Sequence, residues 1–306
     1  MSATATGSSG VQRAGPCAAR LPDGRRLHLR HGPIDLVIEA FGEATEVGRA
    51  YAQASERFQD ILPTLVAELG ILRAPLRSVY PEAVGPVARR MVAACWPHRV
   101  RFITPMAAVA GAVADEMLAS MTAGRNLVRA YVNDGGDIAL HLAPGATLRA
   151  GIVTDVSKPA LFGHVELLAA MPVRGIATSG RATKGQGGRS FSLGIADSVT
   201  VLARDAATAD AAATVIGNAV DIDHPAIHRV PARDVDPDSD LGALPVTVRV
   251  DDLEPDDISL ALANGVAKAR ELFGAGLIHG AVLTLSGTYR LVGDGGLALA
   301  APPKAA

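Results

Sequence analysis

The sequence predicts an α+β fold in which antiparallel sheets pack with helices in two layers. Three observations lead to this prediction. Helix-like periodicity and strand-like alternation occupy separate stretches, short turns join the strand-like runs, and 49% of the 306 residues are apolar, which is enough for a sizeable core. We expect one domain over residues 23–300, between a disordered N-terminal tail at 1–22 and a C-terminal tail at 301–306.

The first predicted elements are a hairpin and two helices. The segments RRLHLR and DLVIEAFG flank the turn residues HGP, a pattern typical of a β-hairpin. A long helix is expected at roughly 43–69, with a kink at Pro63, because proline removes a helical hydrogen bond. A second helix is expected at 82–95.

The third predicted helix is the best marked in the chain. Thr104 can cap it, Pro105 suits its first position, and Gly124 can end it. Large apolar residues recur at helical spacing on one face, and small residues with Asp115 lie on another. The small face is suited to close packing against a neighbour or to the approach of a ligand.

Strand-like segments dominate the middle of the chain, from RAYVN to RGIATSG and SVTVLA. An Ala-rich helix is expected at 206–220, and the acidic, Pro-containing stretch 221–240 is expected to be a long surface loop. The chain then reads as a β-α-β unit, formed by VTVRV, a helix at 255–273 and GAVLTLSGTYRLVG.

Composition excludes several classes of function. The net charge is −2 and no Lys/Arg-rich run is present, so we expect no nucleic-acid partner. No apolar run reaches the roughly 18 residues of a membrane span. The first residues lack the apolar core of a secretory signal, and Cys17 and Cys95 form no disulfide framework, so we expect a cytoplasmic protein in a reducing compartment.

The segment NDGGD, from Asn133 to Asp137, lies between two strand-like runs. Its simplest interpretation is a tight hairpin turn, because these residue types supply the positive φ angles that such turns need. A functional interpretation is that Gly135 and Gly136 let backbone N–H groups approach an anion. Asp134 and Asp137 would repel a bare phosphate, so the motif favours a phosphate ligand accompanied by a divalent cation.

The segment ADAAAT places Asp210 and Thr214 four residues apart, on one face of the Ala-rich helix. A carboxylate and a hydroxyl are the hard oxygen ligands that Mg²⁺ accepts. The alternative is a solvated aspartate and a threonine bonded to its own backbone. The segment GIATSGR puts two hydroxyls and a glycine at a strand end, which an ordinary turn also explains.

The order of these motifs resembles the ApbE-like superfamily, the relatives of FAD:protein FMN transferases. YVNDGGDI, IATSGR and SVTVLARDAATADAAAT are similar to three family segments in the same order, and VAGAVAD lines up with a preceding helix of pattern "iaKGyavD". The similarity covers roughly residues 100–220 and is strongest to an uncharacterised branch of the superfamily. It implies a T-fold-related architecture.

The resemblance also implies a ligand set. The transferases use Mg²⁺ to cleave FAD and attach FMN to a Thr or Ser of a partner protein. By position, the implied metal ligands are Asp210, Thr214 and the backbone carbonyl of Val109. The implied nucleotide-binding residues are Asn133, Gly135, Gly136, Asp137, Thr178, Ser179, Gly180 and Arg181.

Two departures from the family pattern concern the FAD site. The family lysine is replaced by Ala110, and the family's "HiiDPrTG" loop is replaced by the shorter RSFSLGIADS, which has no His or Pro. The transferases are often exported lipoproteins, whereas Cys17 has no apolar run before it and cannot be a lipobox cysteine.

The leading hypothesis is a cytosolic ApbE-like protein with a Mg²⁺-dependent site for the phosphate of FAD or another nucleotide, acting in cofactor metabolism. Two alternatives are a non-catalytic flavin- or nucleotide-binding module and an active FAD:protein FMN transferase. A third alternative is a structural scaffold in which these motifs serve only as turns and helix caps. Asp137 and Asp197 are the candidate catalytic groups. The expected partner is a small phosphate-bearing molecule, with a homodimer as one oligomeric state.

Overall fold

The computed structural model describes residues 15–153, 161–181 and 191–293. Its strands are β1 (Cys17–Arg20), β2 (Leu27–His31), β3 (Ile34–Gly42), β4 (Leu127–Asp134), β5 (Asp137–Leu142), β6 (Thr147–Val153), β7 (Leu161–Leu168), β8 (Gly175–Ser179), β9 (Ser198–Ala203), β10 (Ile227–Pro231), β11 (Pro245–Val250), β12 (Gly280–Leu285) and β13 (Thr288–Gly293). Its α-helices are α1 (Ala44–Ala67), α2 (Leu69–Leu72), α3 (Pro86–Cys95), α4 (Val109–Thr122), α5 (Ala206–Ala219), α6 (Ala232–Val235) and α7 (Pro255–Gly274). Short 3₁₀ turns occupy Trp96–His98 and Pro105–Ala108.

Nine of these strands form one sheet in the order β1-β2-β3-β4-β5-β8-β9-β12-β13, and all neighbours are antiparallel. Helices cover one face: α1 contacts β2 and β3, α4 contacts β4 and β5, α5 contacts β8 and β9, and α7 contacts β12 and β13. The remaining strands form two separate two-stranded sheets, β6–β7 and β10–β11. The predicted α+β class with layered antiparallel sheets and helices is therefore confirmed.

The core divides along the faces of the sheet. On the helical face, one apolar cluster lies under α1, α3 and α4, and a second lies under α5 and α7. On the other face, the β6–β7 hairpin contributes Val165 and Leu167, which pack with Leu140, Ile176 and Leu202 of the large sheet. Because successive side chains of a strand alternate between faces, these clusters show which residues of β5, β8 and β9 point toward the helices.

Helices α4 and α5 approach each other closely at the centre of the helical layer. A Cβ atom added to Gly111 would lie 2.3 Å from the carbonyl oxygen of Ala206. This distance leaves no room for a side chain, so Gly111 is required by the packing. The Ala-rich sequence of α5 permits the same close contact from the other side.

The ordered fold begins earlier than predicted. β1 lies at Cys17–Arg20, inside the expected tail of residues 1–22, and pairs with β2. Asp23 stabilises the connecting turn, since its Oδ1 accepts hydrogen bonds from the N–H groups of Arg25 at 2.9 Å and Arg26 at 3.0 Å. All four β1 residues are exposed, so this edge strand carries no hydrophobic signal. Residues 1–14 and 294–306 lie outside the described residues.

Two further predictions about elements are corrected. The expected surface loop at 221–240 contains β10 and α6. β11 pairs with β10 rather than with β12, so the last part of the chain is not a β-α-β unit within one sheet. Local periodicity could not reveal this, because β10 is short and only its first residue is buried. Among the described residues, no helix is long and apolar enough to cross a membrane.

Three predictions about helices are also adjusted. Helix α1 continues through Pro63 to Ala67, and α3 begins at Pro86 rather than at residue 82. Thr104 precedes the 3₁₀ turn but makes no side-chain cap, because its hydroxyl donates to Asp240 at 2.5 Å. The contact with Asp240 spans a large sequence separation, so no local rule could have predicted it.

Candidate functional site

The NDGGD segment forms the tight turn between β4 and β5. Asp134 and Asp137 are paired across the hairpin, and Gly135 and Gly136 make the turn with φ angles of 62° and 111°. The side chain of Asn133 closes it, since its Oδ1 accepts a hydrogen bond from the N–H of Gly136 at 2.8 Å. The interpretation as a hairpin turn is correct. The turn also places two carboxylates side by side.

Both carboxylates lie on the helical face of the sheet. Asp134 is two residues beyond Val132, and Asp137 is two residues before Ala139, and both apolar residues belong to the cluster under α4. The alternation of the strands therefore directs the two aspartates toward the helices. The sequence motif indicated Asp134 only as a group that repels a bare phosphate, and the predicted site did not include it.

The TSG segment at the end of β8 is divided between the two faces. The Thr178 hydroxyl lies 3.0 Å from that of Thr200, on the face away from α5. Thr178 instead contributes its backbone N–H, which donates to Asp137 Oδ1 at 3.1 Å. Ser179 faces the helices, and a Cβ added to Gly217 of α5 would lie 4.0 Å from its Oγ. The structure therefore places the Ser179 hydroxyl, but not that of Thr178, beside α5.

Asp210 reaches the N-terminus of α4. Its Oδ2 accepts a hydrogen bond from the N–H of Gly111 at 3.1 Å. The N–H groups at the start of a helix lack helical partners and carry partial positive charge, so this position suits an anionic group. Because Gly111 is also the point of closest approach to α5, the same packing that requires a glycine brings Asp210 to the helix end.

Asp115 makes the reverse contact, from α4 to the N-terminus of α5. Its two carboxylate oxygens accept hydrogen bonds from the N–H groups of Ala206 at 3.0 Å and Ala207 at 2.9 Å. Burial raises the pKa of Asp115 to about 6, and the backbone hydrogen bonds oppose this rise. From the sequence, Asp115 was placed on the small face of the helix without a role. The sequence signal that could have indicated a role for Asp115 was its position in the VAGAVAD motif.

The electrostatics of the site are those of crowded carboxylates, and we call Asp134, Asp137 and Asp210 together the acidic edge. Burial raises the pKa of Asp137 to about 7. Burial, followed by repulsion from Asp137, raises the pKa values of Asp134 and Asp210 well above their usual range. Within the described part of the chain, none of these three carboxylates forms an ion pair with a Lys, Arg or His. The acidic edge would therefore be stabilised by a proton or by a cation.

The predicted metal ligands belong to helices α4 and α5. Thr214 lies one turn beyond Asp210 on α5, on the stripe that leads to Gly217 and Ser179. Val109 is the first residue of α4, so its carbonyl points along the helix toward the C-terminal end, whereas Asp210 contacts the N–H side. The Val109 carbonyl as a metal ligand stays a prediction.

The protein groups do not make a complete metal site by themselves. Among described residues, no three His, Cys, Asp or Glu side chains are close enough to hold a metal together. The hard oxygens of Asp210 and Thr214 nevertheless fit Mg²⁺, which retains several waters and binds through few protein ligands. The Asp210 carboxylate also has lone pairs left beyond its backbone hydrogen bond.

Arg181 follows the end of β8, and Asp197 directly precedes β9. Asp197 Oδ2 accepts a hydrogen bond from the N–H of Ser286 at 2.6 Å and thereby holds the β12–β13 turn. A Cβ added to Gly180 would lie 2.3 Å from the Asp197 carbonyl oxygen, so Gly180 serves a close backbone contact. Burial lowers the pKa of Arg181, and nearby Asp197 opposes this change. The basic, Gly-rich segment that follows Arg181 and includes Lys184 and Arg189 lies outside the described residues.

Cys95 is a further group near the acidic edge that the sequence did not indicate. It is buried at the end of α3, with its Sγ 3.8 Å from the carbonyl oxygen of Pro105. Burial, and then the charge of Asp210, raise the pKa of this thiol well above its usual value. Cys95 is therefore an uncharged packing residue behind the site.

The chain thus has an antiparallel sheet under one helical layer, with the carboxylate of Asp210 at the start of a central helix. A family model described as "AbpE bacteria" matches residues 18–291. The match covers most of the chain, and the chain therefore belongs to this family, within an uncharacterised branch of the ApbE-like superfamily.

Two curated relatives match part of the chain. A UPF0280 protein of Methanothrix thermoacetophila is 38% identical over 136 residues, 44% of this chain and 52% of that protein. A UPF0280 protein of Archaeoglobus fulgidus is 40% identical over 138 residues, 44% of this chain and 51% of that protein. The chain thus spans about half the length of the curated relatives it matches.

Two solved structures are similar over most of their length but at low identity. The ApbE protein of Thermotoga maritima is 13% identical with a TM-score of 0.46, over 90% of this chain and 96% of that chain. The flavin transferase ApbE of Vibrio cholerae is 12% identical with a TM-score of 0.37, over 92% of this chain and 98% of that chain. A likeness of this degree assigns no ligand or residue role to the present chain.

Proposed function

We propose that this chain binds a phosphate-bearing flavin or nucleotide ligand together with Mg²⁺, as a cytoplasmic protein of cofactor metabolism. One observation carries the proposal: the carboxylate of Asp210 lies at the N-terminus of α4, the charges of Asp137 and Asp134 act on it, and none of the three has an ion-pair partner among the described residues. Crowded, half-buried carboxylates with raised pKa values lower their energy by binding a proton or a cation. At neutral pH a divalent cation competes well with protons.

The residues that would hold the cation are Asp210 and Thr214, with waters and ligand phosphate completing its shell. Bound there, Mg²⁺ would neutralise the carboxylates and the phosphate together, which removes the repulsion that excludes a free phosphate. The N–H groups at the start of α4 add partial positive charge on the same side. Asp210 already accepts a hydrogen bond from the N–H of Gly111, and the N–H of Val109 donates to the carbonyl oxygen of Met106, so the positive end of α4 would act on the ligand as a partial charge.

The space above the Gly135–Gly136 turn is the proposed position of the ligand. A Cβ added to either glycine meets nothing within 4 Å, so the backbone there is open to a ligand. Ser179 supplies a hydroxyl on the same face of the sheet, close to Gly217. The flavin or nucleotide class of the ligand rests on the family to which the chain belongs.

Two other functions use the same site. A non-catalytic binding module needs no proton-transfer group, and an active FMN transferase needs one. Asp137 is the better placed of the two candidates, since it shares a face and an electrostatic environment with Asp210. Asp197 already holds the β12–β13 turn. We therefore assign any proton transfer to Asp137, and we leave the reaction unnamed.

The test of the cation site compares wild type with Asp210→Asn, which keeps a hydrogen-bond acceptor for Gly111 but removes the charge. At a free Mg²⁺ concentration of about 100 times Kd, wild type should gain about 2.7 kcal/mol of stability. Asp210→Asn should gain none and should retain its fold in EDTA. Asp252→Asn, at an exposed position with no ion pair among described residues, is the control and should behave like wild type. An Asp210→Asn protein that responds to Mg²⁺ like wild type would place the site elsewhere.

The test of the ligand is calorimetric titration with FAD and with ADP, each with Mg²⁺ and each with EDTA. We expect tighter binding in Mg²⁺ for wild type and no Mg²⁺ effect for Asp210→Asn. Equal affinity with and without Mg²⁺ would contradict a phosphate bridged by the cation.

A further inference from the structure

A second surface, formed by irregular segments rather than by the sheet, has the features of a docking site. The connection between α2 and α3, residues 73–85, contains no helix or strand. Connections of this length without secondary structure are uncommon in compact domains and usually serve a function. Together with residues 99–102, the stretch 75–84 forms a surface that we call the loop face.

The loop face is held rigidly in spite of its irregular backbone. The N–H of Leu76 donates to the carbonyl oxygen of Ile103 at 2.9 Å. The Glu68 carboxylate accepts hydrogen bonds from the N–H groups of Val84 and Gly85, each at 2.7 Å. The Tyr80 ring packs edge-on against Trp96, with 4.9 Å between ring centroids. A rigid loop loses little entropy on binding a partner.

Large apolar side chains are exposed on this face. Val79 is 78% exposed and Val100 is 91% exposed, and Tyr80, Val84 and Phe102 are exposed as well. Single exposed apolar residues are normal, but a group on a few neighbouring turns marks an interaction site.

Two grooves flank the same stretch of chain. One has a volume of about 480 Å³ and is lined by Pro75–Ser78 and Arg99–Phe102. The other has a volume of about 260 Å³ and is lined by Tyr80–Ala83 with Arg89 and Val92. Two adjacent concave sites along one segment suit an extended chain, which can place a side chain in each groove.

Arginines surround the grooves. Arg77, Arg89, Arg99 and Arg101 contribute to their walls, and Glu82 is the one acidic residue in either lining. None of the four arginines forms an ion pair with a carboxylate of the described residues. Since the whole chain carries a net charge of −2, this concentration of positive charge is local. Arginine and aromatic residues are enriched at protein interfaces.

We propose that the loop face docks an acidic, extended segment of a partner protein, with apolar side chains of that segment in the two grooves. A twofold contact between copies of this chain would place the four arginines of one copy against the same four of the other. Repulsion between like charges disfavours this contact. Docking at the loop face is independent of the ligand at the acidic edge.

The probe is a fluorescein-labelled synthetic peptide of alternating Asp and Glu around a central Phe-Leu pair, followed by fluorescence anisotropy. Wild type should bind it saturably, with an affinity that falls as salt is raised. A matched peptide with Lys in place of Asp and Glu should not bind. The double variant Arg77→Glu, Arg101→Glu should bind at least tenfold more weakly, and Val100→Ser should weaken binding without changing its salt dependence.

Arg149→Glu is the matched control, because Arg149 is exposed on β6, outside the loop face, and it should bind like wild type. All substituted residues are exposed, so unchanged thermal unfolding should accompany each variant. Undetectable binding of the acidic peptide, or equal binding by the double variant, would overturn the proposal. Two other outcomes would also overturn it. In the first, wild type binds phosphatidylserine vesicles, and the double variant loses this binding but still binds the peptide. In the second, wild type forms a dimer in sedimentation, and the double variant loses the dimer but still binds the peptide.

Discussion

The carboxylate of Asp210 accepts a hydrogen bond from the backbone N–H of Gly111, with 3.1 Å between Oδ2 and N. Asp115, four residues beyond Gly111, accepts two hydrogen bonds from the N-terminus of the helix that carries Asp210. Each helix therefore contributes a carboxylate to the N-terminal N–H groups of the other. This reciprocal arrangement fixes α4 and α5 relative to one another and sets the position of Asp210 over the sheet.

The first prediction concerns this reciprocal capping. Asp115→Ala should cost about 1–2 kcal/mol of unfolding free energy, because it removes two charge-assisted hydrogen bonds from a helix end. Asp115→Asn should cost less, since one acceptor oxygen remains. Because Asp115 and Asp210 join the same helix pair, the effects of Asp115→Ala and Asp210→Ala should be non-additive in urea unfolding. Strictly additive effects would show that the two contacts are independent.

The second prediction concerns the close contact of the helices. Gly111→Ala should destabilise the protein by about 3 kcal/mol or more, since its Cβ would lie 2.3 Å from the Ala206 carbonyl oxygen and the helices would have to separate. Gly48→Ala is the matched control in an exposed part of α1, where a Cβ meets nothing within 4 Å. There alanine should stabilise by about 0.5–1 kcal/mol. A Gly111→Ala protein as stable as wild type would contradict the close approach of α4 to α5.

The third prediction concerns pH. The folded pKa of Asp137 is about 7, above its ordinary value of 3.8, so between these values the folded state keeps a proton that the unfolded state has released. The stability gained from that proton is present at low pH and is lost as pH rises toward 7. Asp137→Asn should therefore gain stability relative to wild type between about pH 4 and pH 7, with no further gain above that range. The measurement is urea unfolding of both proteins in EDTA across this pH range.

Mg²⁺ provides the control for the pH prediction. If the cation neutralises the acidic edge, wild type should lose less stability with rising pH in Mg²⁺ than in EDTA. A stability difference between Asp137→Asn and wild type that stays constant or shrinks as pH rises would show that the pKa of Asp137 is not raised.

The sequence predicted the layered α+β architecture because helix and strand periodicities were separated along the chain. It also located the hairpin turn at Gly135 and Gly136, because local residue types decide turn geometry. It could not assign Asp134 to the site, and it could not show that the hydroxyls of Thr178 and Ser179 lie on opposite faces of the sheet. Both points depend on which face of the sheet each side chain occupies. The role of Asp115 depends on the crossing of two helices, which no local pattern contains. β1 was missed because an exposed edge strand has no apolar alternation.

The last prediction separates this chain from the flavin transferases that its motifs resemble. Catalysis needs interactions that strengthen in the transition state, and the loss of groups that orient a substrate or neutralise its charge costs orders of magnitude in rate. Ala110 supplies no cation where the transferases have lysine, and RSFSLGIADS supplies neither an imidazole nor a proline-containing loop. We therefore expect no covalent transfer of FMN to an acceptor protein when FAD and Mg²⁺ are supplied.

The transfer assay incubates the chain with acceptor, FAD and Mg²⁺, and then looks for flavin fluorescence on the denatured acceptor. Calorimetric binding of FAD is measured on the same preparation, so that a negative result reflects absent chemistry rather than absent substrate. A fluorescent acceptor that disappears with Asp210→Asn would overturn the expectation and establish the transferase function. A fluorescent acceptor that persists with Asp210→Asn but disappears with Asp137→Asn would assign the chemistry to the hairpin carboxylate and remove Asp210 from it.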